Sequence, residues 1–336
     1  VSLGGLGDGT TLENIEVYAN FDDGVEWFGG TVNGKNLAVF FVGDDMFDLD
    51  EGYTGVNQFL FGIMPFFNEN DGQPYGSGSG DKACEFDGDN YRPDNVALNG
   101  NVAGRIDVDQ TTVDEGAGGP GTEMPTPWPL SNPQMYNMTL IGSTPDAPQE
   151  FTPTSPALPN LGCQVRHGFA GEVLNSIVVN TGAQRGLALD TGTGEAAPGH
   201  DAIDNVNAGL ISLVSSTLDD GAALAAAELT AVSNGDAMAP GLGGTANVVN
   251  GAFSGLVKED ATFNPTGNAA GKLVSSLKSS PVNPRPVGVI GVIGGVVPRG
   301  SGLDPAATYR GAFAGTAPIL WTTGWTTLNV AGLLAD

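Results

Sequence analysis

Basic side chains are scarce in this chain: 12 Lys and Arg stand against 38 Asp and Glu, a formal net charge of -26. A surface this acidic cannot track a phosphate backbone or settle on an anionic bilayer, which excludes nucleic-acid and membrane-surface partners. Cysteine and histidine number two each. Two cysteines and two distant histidines, His167 and His200, cannot build a tetrahedral zinc site. No apolar stretch approaches the ~20 residues of a membrane span. The longest, residues 286–297, contains four glycines and reads as a buried strand pair or a cap. No signal-peptide pattern follows Val1. The chain starts inside a repeat unit, VSLGG at 1–5, as expected of a processed or truncated product.

A nucleophile with a base at motif spacing is also missing, so no catalytic residue is expected. GSGSG at 76–80 places its serines wrongly for a nucleophile elbow and reads as a flexible loop. The glycines at 288, 291 and 294 lack the acidic partner of a dinucleotide fingerprint. His167, beside Arg166 at a strand end, reads as a turn residue rather than a general base.

What the chain has is glycine, 52 residues, and proline, 22, the balance of a turn-rich β protein. It also has a repeat. FDDGVEWFGG at 21–30 and GDDMFDLDEG at 43–52 are near copies, and NIxVY from Asn14 falls on NLxVF from Asn36. A weaker third copy begins at Gln58. Two short apolar strands per unit of about 22 residues is the signature of a β-solenoid, whose units bury their apolar faces only by stacking. The strand phrase returns at Asn137 and Asn175. Asn14, Asn36, Asn137 and Asn175 are expected to form a ladder at one corner, where Asn tolerates a left-handed backbone. Alternation in the second strand makes Val25/Trp27, Phe47/Leu49, Cys84/Phe86 and Cys163/Val165 the inward set, with Glu26, Asp48, Glu85 and Gln164 outward.

The chain therefore divides into coils over 1–215, with a long loop at 89–129, then an irregular or helical insertion or cap over 216–300. A C-terminal segment, 301–336, packs on the helix. Residues 219–233, rich in alanine, are the best α-helix in the sequence.

Stacked coils place Asp22 over Asp44, Asp23 over Asp45 and Glu26 over Asp48, about 4.8 Å apart. Like charges at that distance repel by ~1 kcal/mol in water and ~3–4 kcal/mol at an effective dielectric of ~20. Such a ladder calls for solvation, raised pKa values or a bridging cation. Calcium, a hard ion taking six to eight oxygens, is the natural choice. The competing reading has these aspartates capping turns through backbone bonds and facing water. Cys84 and Cys163 share the first inward position of the second strand and are expected to form a disulfide, with stacked free thiols as the alternative. Trp27, Phe28, Tyr53 and Tyr91 are candidate sugar-stacking platforms.

Four phrases carry a family resemblance: DDGVEWFGGTVN at 22–33, DDxFD at 44–48, RHG at 166–168 leading to NSIV at 175–178, and YRGAF at 309–313 with WTTGWT at 321–326. They resemble a family of secreted bacterial proteins, common in Bacteroidetes and marine bacteria, that looks like a right-handed parallel β-helix of the pectin-lyase type. The resemblance implies this all-β fold and an extracellular or cell-surface location, and no established reaction. Three functions remain open. The first is a non-enzymatic structural protein that assembles with itself or with envelope and matrix components as a filament, sheath or layer. The second is a calcium-dependent polysaccharide lyase or hydrolase with Arg166 as base. The third is a carbohydrate-binding adhesin.

Overall fold

The computed structural model describes residues 1–20, 22–64, 82–88, 130–142, 161–166, 168–179, 186–189, 202–218, 224–249, 257–258, 281–286 and 294–334. The chain passes back and forth between two all-parallel sheets. Sheet A stacks β1 (Ser2–Gly4), β3 (Val25–Phe28), β5 (Phe47–Asp50), β7 (Lys82–Phe86), β9 (Leu161–Val165) and β12 (Leu187–Leu189) in that order. Sheet B stacks β2 (Leu12–Tyr18), β4 (Gly34–Phe40), β6 (Val56–Ile63), β8 (Gln134–Ile141), β11 (Ile177–Val179), β14 (Thr217–Leu218) and β15 (Val248–Val249); β10 (Glu172–Leu174) also pairs with β8, and β13 (Ser212–Val214) pairs with β10. The stacked strands thus continue past residue 215. One short antiparallel pair, β16 (Val257–Lys258) with β17 (Asn283–Pro286), lies apart.

Period-two alternation builds the interior. In β3 and β5, Val25, Trp27, Phe47 and Leu49 are buried while Glu26, Phe28, Asp48 and Asp50 are half-buried. These inward residues meet Leu37, Val39, Leu60, Met138 and Leu140 from sheet B in one core running through the coils. Trp27 stacks on Tyr53 with ring centroids 5.5 Å apart.

Asn14, Asn36, Asn137 and Asn175 all hold positive φ, 51° to 56°, and Asn36 Nδ2 donates to Asn14 Oδ1 at 3.1 Å. Phe59 occupies the same corner at φ 63° and Ser215 at φ 48°. At the interruption Gln58 Nε2 donates to Asn137 Oδ1 instead.

A second apolar layer lies on the outer side of sheet B. Ala38, Phe40, Phe61, Ile63, Ile141, Ile177 and Val179 point away from the first core and are covered by Phe313, Leu320, Leu328 and Leu333 of the C-terminal segment. Buried amides fasten that segment: Asn175 exchanges bonds with Val296 N and O (2.7 and 2.8 Å), and Asn137 donates to Tyr309 O. The fully buried Arg310 guanidinium donates to Ser216 O, Thr217 Oγ1, Thr245 Oγ1 and Ala246 O.

The helix expected at 219–233 starts later and runs further, over Ala226–Met238. Leu224 and Ala225 precede it, Ala225 in extended backbone, and residues 219–223 lie outside the described part. Asn234 and Gly235 read as a stop signal, yet tertiary contact uses them inside the helix. Asn234 Nδ2 donates to Val206 O and Ile211 O, and a Cβ at Gly235 would stand 1.6 Å from Leu213 O. Here glycine permits close approach of helix to strand rather than a cap. Among the described residues, no helix is long and apolar enough to cross a membrane.

Candidate metal site on an acidic ladder

Parallel register turns alternation in sheet A into columns. Outward positions stack as Ser2, Glu26, Asp48, Glu85, Gln164 and Ala188, one residue per coil. Ser2 Oγ donates to Glu26 Oε2 at 2.7 Å. Just before the strands, Asp23 Oδ1 accepts from Asp45 N at 3.0 Å, which ties two successive coils at their acidic corners. Among the described residues, two groups of carboxylates converge, each with ligand atoms within 4.8 Å: Asp22, Asp23 and Asp44, and Asp23, Glu26 and Asp48. Asp23 belongs to both.

Burial and mutual repulsion hold these groups toward their neutral forms. The Asp23 carboxyl is pushed up to about 7, first by burial and then by the charges of Asp44 and Glu26, with the Asp45 N–H pulling the other way. Burial also raises Glu26, the Ser2 hydroxyl opposing it. Asp48 stands well above the usual carboxylate range because of burial and Glu85. Asp45 is raised by burial and Glu85, against the pull of Lys82.

Higher coils carry their own cations. Lys82 Nζ lies 3.3 Å from Asp45 Oδ2 and 3.0 Å from Glu85 Oε1. Arg166 grips Asp87 through Nε and Nη2, at 3.0 and 2.6 Å, and reaches Glu85 at 2.9 Å. These cations sit on β7 and just after β9: Lys82 joins Asp45 to Glu85, and Arg166 joins Glu85 to Asp87. Sequence reading missed Lys82 and Asp87, because the spacing from Asp45 to Lys82 is 37 residues and no longer the repeat length. The signal was available in Cys84 and Phe86, which fix the phase of that strand.

The structure places the other candidates as follows. Trp27 and Tyr53 are fully buried and stack inside the core, so neither can serve as a sugar platform; alternation in β3 turns Trp27 inward, and the Tyr53 hydroxyl donates to the buried Val32 O. Phe28 is half-buried, and Tyr91, His167 and His200 lie outside the described residues. Arg166 is unsuited to the role of base. Although burial alone would lower its pKa, Asp87 and Glu85 more than offset this and raise it, and its fork is committed to them. Cys84 and Cys163 are register partners on β7 and β9, both buried, and face one another as free thiols.

A family model described as a pectate-lyase like beta helix domain matches residues 1–248. No curated protein and no solved structure matches the chain.

Proposed function

The chain belongs to the pectate-lyase-like β-helix family, and from that premise we propose a calcium-dependent, polysaccharide-engaging protein that uses the acidic face of sheet A. One observation carries the reading: the carboxylates of Asp22, Asp23, Asp44, Glu26 and Asp48 converge in two groups that share Asp23. An all-oxygen donor set without imidazole or thiolate suits a hard cation, and calcium accepts the irregular geometry that stacked strands impose. A bound calcium would turn a surface that repels polyanions into one that bridges to their carboxylates. The convergent carboxylates give this reading a named surface, which favours it over a self-assembling structural role.

Turnover is a second reading, favoured by Asp23. A carboxyl held up to about 7 by burial and by the carboxylates around it is matched to proton transfer near neutral pH. Arg166 takes no part in it. Affinity for calcium in the range of extracellular modules, ~10⁻⁴–10⁻³ M, would fit a protein working outside the cell. We take the winding as right-handed, the hand that parallel crossovers adopt in ~98% of cases.

The test is titration calorimetry with calcium, then with polygalacturonate and alginate, each with and without chelator, beside assays for unsaturated and reducing ends. Expected are calcium binding, polymer binding that chelator abolishes, and loss of both in Asp23→Asn. Binding without product identifies an adhesin, and product identifies an enzyme. Failure of calcium to bind would remove the reading.

A further inference from the structure

The two cysteines of this chain occupy one particular junction between coils. Successive coils of sheet A lie 22 residues apart at Asp23 and Asp45, 37 apart at Asp45 and Lys82, and 79 apart at Asp87 and Arg166. Cys84 and Cys163 are register partners across the last of these. Closing the longest excursion costs the most chain entropy, so this stacking step gains the most from a cross-link. It is already pinned on the outside by the bidentate Arg166–Asp87 pair.

We propose that Cys84 and Cys163 form a cross-coil staple, closed during folding by a low-molecular-weight disulfide and sealed in its redox state once the coils have packed. The thiolate of one cysteine attacks the oxidant, glutathione disulfide for instance, giving a mixed disulfide and releasing one glutathione thiol. The other cysteine then displaces the second glutathione. One Sγ–Sγ bond forms, two hydrogens pass from the protein to the oxidant, and two molecules of reduced thiol leave.

Three observations support it. In-register parallel neighbours stand ~4.8 Å apart at Cα, inside the 4.4–6.8 Å window a cystine spans. The sequence holds only these two cysteines, so within one chain each has a single partner. Both are buried, at 0 and 2% exposure, and burial together with the Cys163 contact pushes the Cys84 thiol well up, which starves the native state of the reactive thiolate. Oxidant must therefore act before the coils close.

The experiment refolds the chain from denaturant with glutathione disulfide, with reduced glutathione, or with reduced glutathione followed by glutathione disulfide added to the native protein. Free thiols are counted after denaturation, adducts are read by mass spectrometry, and melting is followed with and without reductant. Expected are no free thiols and no adduct after oxidative refolding, and two thiols in the other two samples. The oxidised form should melt higher, on the order of 5 °C for a loop of this length, and fall back on reduction. The Cys84→Ala/Cys163→Ala chain should melt identically in all three. Two free thiols or stable glutathione adducts after oxidative refolding would overturn the proposal, as would ready oxidation of the native protein.

Discussion

Asp23 concentrates the chemistry of the ladder: it joins both carboxylate groups, bonds the next coil's backbone and titrates near neutrality. Its folded pKa, about 7, lies above the 3.8 of an unperturbed aspartate, so the native state binds protons more tightly than the unfolded chain. Without metal, stability therefore falls as pH rises from about 4 through about 7 and is greatest below that window. Asp45 and Asp48 shift in the same direction and add to the effect. Thermal melts of chelator-treated protein should rise as pH drops from 8 to 5, and added calcium should stabilise more at pH 8 than at pH 5. Asp23→Asn keeps an oxygen for the Asp45 N–H while removing the charge. We expect it to raise metal-free stability at pH 8 by about 1 kcal/mol and to abolish the calcium-dependent gain. At this scale Glu26 over Asp48 was legible because the repeat held at 22 residues. The buried fate of Trp27 followed from the same alternation that turns Glu26 outward.

Among the elements, the asparagine corner shows how one residue type does two jobs. Asn14 is exposed and Asn36 half-buried, and their side chains bond each other, whereas Asn175 is fully buried and fastens the C-terminal segment through Val296. Asn36→Ala should cost about 1 kcal/mol, the left-handed backbone penalty plus one exposed bond. Asn175→Ala should cost about 2–4 kcal/mol, because it orphans a buried N–H and C=O. Denaturant melts of the two variants distinguish these costs. Gly235→Ala drives a Cβ into Leu213 O and should destabilise by 2 kcal/mol or more on the same measurement. Local propensity places a helix end at Asn234 and Gly235, while packing against β13 and its neighbours recruits both into the helix. The ladder itself was legible, except where Phe59 replaces asparagine, since nothing local announces an aromatic residue in that backbone conformation.

For the whole molecule, two parallel sheets and their inward faces could be read from the 22-residue repeat, but the second apolar layer could not. Its trace is in β6, VNQFLFGI, a near-continuous apolar run of the kind buried on both faces. Which segment covers it is a long-range fact, settled by contacts such as Phe61 with Phe313 at 5.0 Å. Net charge also acts at this scale. At -26 the compact state repels itself, so sodium chloride should raise the melting temperature modestly, and calcium at matched ionic strength should raise it further.

The C-terminal segment bonds Asn175 through Val296, Gln58 through Asp304, and Glu16 through Thr327, so it lies lengthwise across the coils like a stave across hoops. A stack of hoops alone would peel under tension one turn at a time. With the stave in place, pulling between handles at residues 8 and 249 in an optical trap should give one large rupture, with coil-sized steps appearing only after it.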